Sequence, residues 1–464
     1  MDATQTNTDV SGCPGCSQRD QRISQLESQL KQLQQRVEQL SRSAKRQAAP
    51  FSRGLPKLDP KTPGRKSGDN YGTKAFRAVP PVIDEVHEAT LPDRCPKCGG
   101  RQFIDERIEH QYQVEIPRRP IHRQFNVAVA QCTCCGKRVQ GRHPLQTSDA
   151  LGCCASQIGS EAQSAVVMLN KELGLSQGKI SRFFQSFFNI KLTPGGSCQI
   201  MLRAAGRCEG NYQAIVKRVQ KSKRLVPDET GGRIGGWLAW LHVAVTQDCV
   251  AYLVAHQRGF EASKLLIGEN YAGTLTHDGW AAYLRFGHAG HQTCIGHMLR
   301  RCKEMLETAV GGAVVYPRKV KAILQEGLAI RDLRDAGKIT VKAASVQADE
   351  LEDKIVTLSK PTKTNAANER LSRHLMRNAD YLFTFLRDKE VDATNYKAEQ
   401  AIRPAVVNRK VWGGNRTEAG AVAQSILMSV LFTAAKLKRD GLQFVSEILR
   451  SLPHQRPMLL PDSG

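Results

Sequence analysis

Three acidic residues stand out in this 464-residue chain: Asp228 in VPDET, Asp278 in THDGW and Glu399 in NYKAEQAIRP. Breaking or exchanging a phosphodiester takes two Mg²⁺ (or Mn²⁺) ions about 4 Å apart, one at the attacking oxygen and one at the leaving oxygen. Mg²⁺ prefers hard oxygen ligands, so such a site needs two or three carboxylates converging from different elements. Asp228, Asp278 and Glu399 are therefore the candidate catalytic residues and magnesium ligands. Glu369 in TNAANER competes for the third place because it too follows Thr-Asn. It lacks the Ile402-Arg403-Pro404 that follows Glu399, and Arg370, Arg373 and Arg377 nearby make it read as an ion-paired surface residue.

Either aspartate alone would pass for a turn or cap residue. The order of elements around them changes that reading. RLVPDET reads as a strand ending in Asp228, residues 231–236 as a turn, and WLAWLHVAVTQD with CVAYLVAHQR as a hairpin. A helix over FEASKLLIGENY leads to a strand ending in Asp278, then a helix at AAYLRF and a short strand at HQTCIGH. Three strands, a helix, a strand and a helix is the order of an RNase H-like domain, in which carboxylates at the ends of the first and fourth strands lie side by side. Asn395, Glu399 and Arg403 follow at i, i+4 and i+8 on one helical face, with Pro404 expected to end or kink that helix. The 120 residues between Asp278 and Glu399 exceed what such a fold needs, and residues 303–392 read as an α-helical insertion.

The bulk properties point to the same kind of partner. There are 67 Lys+Arg against 44 Asp+Glu, a net charge of +23, which favours a polyanion through counterion release. No uninterrupted apolar run of spanning length and no signal-peptide core are read, so a cytoplasmic protein that does not engage a membrane is expected. Fourteen cysteines, several of them in C-x-x-C pairs, suggest thiolate metal ligands rather than disulfides. Cys95/Cys98 and Cys132/Cys135 flank strand-like RIEHQYQVEI and HRQFNVAVAQ, the spacing of a zinc ribbon, with Cys134 an alternative to Cys132 or Cys135. Cys13/Cys16 has no partner pair nearby and reads as unliganded.

Six domains follow from this pass. Residues 1–44 hold a helix whose Ile23, Leu26, Leu30, Leu33, Val37 and Leu40 form an a/d seam, a short coiled coil that would pair at least two copies. Residues 45–85 are a basic linker: the stretch 41–80 carries ten Lys/Arg and two Asp. The ribbon occupies 86–150, and three short helices over 151–222 resemble a helix-turn-helix module, capped by Ser176 and by Thr193-Pro194. The catalytic domain spans 223–440 and a C-terminal tail 441–464. Lys221, Lys223, Arg224, Arg403, Arg409 and Lys410 are the candidate DNA contacts; Cys294, His297 and Asn395 are candidate supports of the site. A zinc site from His291, Cys294, His297 and Cys302 is the weaker reading of the C-x-x-H motif, since a buried core role is commoner at a strand–helix junction.

Together these motifs resemble the IS66 family of bacterial insertion-sequence transposases. The resemblance rests on the zinc ribbon, DET at 228–230, GTLTHDGWAAY at 273–283, Cys294/His297, TNYKAEQAIRP at 394–404, RK at 409–410, GG at 413–414 and the helix GAVAQSILMSVLFTAAK. The chain departs from the family pattern at Gln400 and at Trp412–Asn415. The resemblance implies a DDE-type DNA transposase whose triad maps onto Asp228, Asp278 and Glu399. It also implies terminal inverted repeats and target DNA as partners, together with small accessory proteins of the same element. The alternative from another class is a non-catalytic zinc-ribbon/helix-turn-helix DNA-binding protein, a domesticated remnant; loss of a carboxylate would favour it, and none is lost.

Overall fold

The computed structural model describes residues 18–19, 21–30, 32–34, 78–104, 107–152 and 157–461. Cys13/Cys16, Val37, Leu40 and most of the basic linker lie outside them. The chain divides into two units, Met1–Pro117 and Arg118–Gly464, and the division falls between the two C-x-x-C pairs.

In the first unit, residues 21–30 are helical (α1), and Ile23, Leu26, Leu30 and Leu33 are all exposed. Cys95–Gly100 forms a tight turn in which the Gly99 N–H donates to the Cys95 carbonyl and the Cys95 N–H to the Gly100 carbonyl, both at 2.8 Å. In the second unit Cys132–Lys137 repeats that turn, with both corresponding bonds at 2.9 Å. Gly99 at φ +73° and Gly136 at φ +69° supply the left-handed backbone each turn requires. Strands β1 (Val129–Gln131) and β2 (Arg138–Gln140) pair antiparallel around the second turn. The alternation at 107–116 does not become a strand: Ile108, Val114 and Ile116 are exposed, and a strand with neither neighbour nor buried face gains nothing from the pattern.

The second unit is an α/β structure around a mixed five-stranded sheet. β3 (Arg224–Ile234), β4 (Trp237–Val245) and β5 (Val250–Ala255) form an antiparallel meander. After helix α5 (Phe260–Ile267), β6 (Thr274–His277) lies parallel to β3, and β7 (Gly290–Thr293) parallel to β6, giving the order β5-β4-β3-β6-β7. β3 does not end at Asp228; it runs six residues further, and the turn is confined to Gly235-Gly236. The antiparallel partner explains the extension, because β4 pairs with it residue for residue out to Ile234↔Trp237. AAYLRF contributes only a 3₁₀ turn, Tyr283–Arg285.

Helices α2 (Ser160–Lys171), α3 (Gln177–Phe188) and α4 (Pro194–Gln220) begin where the capping residues place them, with Ser176 accepting from Lys179 N–H and Thr193 from Gly196 N–H. α4 is not short: an apolar stripe through Ile200, Ala204, Cys208, Ile215 and Val219 keeps it buried for 27 residues. These helices share one apolar core with Leu225, Ala244 and Leu275 of the sheet. Helix α12 (Glu418–Lys436) lies against α4 and β5. Its length and composition would suffice to cross a membrane, but most of it is buried in this core. Its Ser425, Ser429 and Thr433 hydroxyls, one per turn, accept the outward N–H groups of Val254, Tyr252 and Val250 at 2.8–3.0 Å, which closes the β5 edge.

The segment read as a C-terminal tail is core instead. α13 (Gly441–Arg450) buries Phe444, Val445, Ile448 and Leu449 and packs on α2, and Leu459 and Leu460 are buried with them. Between β7 and the Glu399 helix lie α6 (Ile295–Thr308), α7 (Val315–Asp335), α8 (Val341–Ser359), α9 (Ala366–Arg377) and α10 (Thr384–Arg387). They enclose their own apolar cluster, including Val320, Leu324, Leu351, Ile355, Leu371 and Phe383.

Candidate active site

Each of the three acids comes from a different element. Asp228 sits in β3 opposite Val243, beyond the last β3–β6 pair at Leu225↔Leu275, and its Oδ1 accepts the Glu229 N–H at 2.9 Å. Asp278 directly follows β6, and its Oδ1 accepts the Trp280 N–H at 2.8 Å. Glu399 occupies the first turn of α11 (Tyr396–Trp412), where the helix dipole favours a carboxylate. α11 runs unbroken past Pro404 to Trp412, so the expected stop is not made there; Gly413, left-handed at φ +80°, ends the helix.

Burial pushes the Asp228 carboxyl up to about 7, and the charges of Glu229, Asp278 and Glu399 push in the same direction. Three further acids thus act on one buried acid. Among the described residues no three His, Cys, Asp or Glu side chains stand close enough to hold a metal ion as placed. The placement gives the reason: Glu399 leans toward His297 Nε2 at 3.5 Å and Arg300 Nη2 at 3.8 Å, while the aspartates cap backbone N–H groups. The donor set nonetheless suits a divalent cation, being hard oxygens in a field that one would relieve.

The surroundings sort the remaining candidates. Cys294 is buried, which pushes its thiol up, and its Sγ accepts the Asn395 N–H at 3.4 Å, joining the start of α6 to the start of α11. Asn395 is 1% exposed, and neither of its side-chain polar atoms has a partner among the described residues; His297 Nδ1 is likewise unpartnered. His291 pairs with His277 and Cys302 packs in the insertion core, away from a shared site with Cys294. Arg403, Lys410, Lys221 and Lys223 are exposed. Arg409 is tied to Thr230 Oγ1 at 2.9 Å and to the Gly231 carbonyl, and Arg224 to Asp388 at 2.8 Å and to Glu390. Those two guanidiniums hold the α11 and insertion helices to β3. Glu369 accepts the Lys363 N–H at 3.0 Å and faces Arg373 at 3.5 Å, within the insertion.

Sequence reasoning missed several neighbours. His277 Nδ1 accepts the Gly279 N–H at 3.0 Å and so must present Nε2–H to His291; burial and the nearby His291 and His374 hold it down to about 3. From α9, His374 reaches the same turn, where a Cβ on Gly279 would stand 2.8 Å from its Nε2. Burial, then Arg301 and Arg377, keep His374 down to about 4, so both imidazoles are neutral beside Asp278 at pH 7. Glu229, Tyr283 and Arg258 form a further bonded group beside Asp228. Glu229 and Tyr283 stand inside DET and GTLTHDGWAAY, but no motif marks Arg258 or the bonds among the three; only the alternation of β3, which turns Glu229 to the face opposite Asp228, hints at a second set.

No curated protein matches the sequence. The family model described as "Transposase IS66 family" matches residues 155–423, which include all three acids, and the chain therefore belongs to the IS66 transposase family.

Proposed function

We propose that this transposase is a DDE-type enzyme that cleaves DNA at element ends and joins them to target DNA, with Asp228, Asp278 and Glu399 as its acidic triad. The observation that carries the reading is the elevated carboxyl of Asp228, produced by burial and by acids arriving from β3, from the end of β6 and from α11. The sheet order β5-β4-β3-β6-β7, with the first three strands antiparallel and the rest parallel, supports an RNase H-like domain. Divalent metal, held by the three acids, would supply Lewis-acid activation of the phosphodiester. The chain's own part is to keep the acids at fixed backbone positions, to hold Glu399 beside His297 and Arg300, and to keep neutral imidazoles behind Asp278. Arg403, Lys410, Lys221 and Lys223 remain free for DNA phosphate, and α2–α4 are the candidate end-recognition helices.

The test separates binding from chemistry. Asp228→Asn should bind element-end DNA with the wild-type salt dependence and lose Mg²⁺-dependent cleavage. Joint loss of binding and folding would make Asp228 structural, and wild-type protein that never cleaves such ends with Mg²⁺ or Mn²⁺ would favour the non-catalytic DNA-binding alternative.

Two assembly features complete the reading. The spacing of Cys95, Cys98, Cys132 and Cys135 in the sequence proposes them as zinc ligands, and the turns Cys95–Gly100 and Cys132–Lys137, each in its own unit, share one backbone pattern, with Cys134 at the place Lys97 takes in the other turn. Backbone N–H groups of Cys98 and Lys97 lower the Cys95 thiol, and those of Cys135 and Cys134 lower the Cys132 thiol, as thiolate ligands require. Cys95→Ser with Cys98→Ser should abolish stoichiometric zinc by elemental analysis; unchanged metal content refutes the assignment. The exposed seam of α1 suits a second copy of the chain. Polar replacement of Leu26, Leu30 and Leu33 should shift sedimentation toward the monomer and leave the melting of the second unit in place; an unchanged profile would reject pairing through this helix.

A further inference from the structure

Glu229 is a fourth acid for which metal chemistry gives no task. Its side chain is 3% exposed, and both its oxygens are occupied. Tyr283 O–H donates to Oε2 at 2.6 Å, and Arg258 Nε and Nη2 both donate to Oε1, at 3.0 and 2.8 Å. The Arg258 guanidinium lies between two indoles, 4.9 Å from the ring centre of Trp240 and 4.5 Å from that of Trp280. Asp278 accepts the Trp280 N–H, so the turn that sets a catalytic acid also sets one wall of this stack. Arg258 itself is 44% exposed, a cation presented outward from a buried acid, and its Nη1 has no protein partner among the described residues.

Neutralising Glu229 would take a single contact. Two aromatic walls and two hydrogen bonds to one carboxylate oxygen additionally fix the guanidinium plane, and a fixed plane serves recognition of a planar or tetrahedral oxyanion. A polyanionic substrate approaching Asp228, Asp278 and Glu399 also meets groups of its own sign, so a fixed cation at the border lowers the barrier to its seating.

We propose that Arg258 is a phosphate-binding residue for the substrate strand, contacting through Nη1 a DNA backbone phosphate beside the one at Asp228 and Asp278. Glu229, Trp240 and Trp280 position it. The inference rests on the DNA-cleavage reading above.

The test is the binding of a generic duplex oligonucleotide to the full chain across a salt series, in metal-free buffer, for wild type, R258A, R258Q and R258K. Loss of one phosphate contact lowers the slope of log K against log salt by ~0.9. R258A should show that drop with roughly tenfold weaker binding, while R258K keeps the slope. R258Q keeps a side chain between the indoles without the charge and decides the matter if R258A does not fold. A wild-type slope in a folded R258A or R258Q overturns the proposal. So does R258K losing as much slope as R258A, which would trace the effect to packing. The assay contains no metal and reads no cleavage, so failure of the carboxylate triad would leave these slopes unmoved.

Discussion

Glu399→Gln should abolish Mg²⁺- and Mn²⁺-dependent strand transfer, by roughly 10²–10³-fold or more, while Glu369→Gln leaves it nearly intact. The two acids follow similar Thr-Asn sequences, so they separate on environment alone. Glu399 stands in the first turn of α11, and its charge reaches Asp228. Glu369 stands in the first turn of α9, where it caps Lys363 and faces Arg373, and it is not among the acids that raise Asp228. The glutamine keeps size and one acceptor oxygen at both positions, so a loss confined to one of them reports that position's charge. Single-turnover transfer with pre-cleaved ends measures it. Equal losses in both variants, or a loss only in Glu369→Gln, would overturn the assignment of the third acid.

Asp228→Asn should make the metal-free protein more stable at neutral pH, even as it removes activity. Folding raises the Asp228 carboxyl from 3.8 to about 7, so between those values the folded chain holds a proton that the unfolded chain has released. Raising the pH through this window therefore favours unfolding, and the penalty is complete above about pH 7. Asparagine carries no such penalty and keeps an oxygen for the Glu229 N–H. The gain over wild type should be near zero at pH 4, partial at pH 5, and on the order of 2–4 kcal/mol at pH 8. Paired melts in EDTA check it, and a gain of the same size at pH 4 and pH 8 would refute the charge argument. An acid whose removal stabilises the fold is a residue kept at a cost to stability.

The element that carries each candidate acid was legible because charge and element order are properties of the sequence. Asp278 follows β6 and Glu399 lies on α11, as a strand-end turn signal and helical spacing had placed them, while Asp228 lies within β3 rather than at its end. What surrounds them was not legible. Arg258 meets Glu229 across 29 residues and Tyr283 meets it across 54, contacts that depend on how β4, β5 and the 3₁₀ turn fold back rather than on local pattern. Arg409 and Arg224 were read as DNA contacts by type, yet their bonds to Gly231, Asp388 and Glu390 follow from helix placement, which charge counting does not specify. Pro404 misled for a local reason. A missing N–H costs one helical bond, but Ala398, Ile402, Ala405 and Asn408 of the same helix are buried, and that packing carries α11 through.

The joining of α13 to α2 bears on the timing of synthesis. Ser164 in α2 donates to the Leu442 carbonyl across 278 residues, and Ser160 pairs with Ser446 in the same seam. At about 5–20 residues per second, roughly a quarter of a minute to a minute separates translation of the two partners. During that interval the apolar faces of α2 and α4 lack their covering, and the sheet core they share cannot close. A nascent or prematurely terminated chain can therefore carry all three acids and still lack the fold that positions them, so the core closes only once α13 has been made.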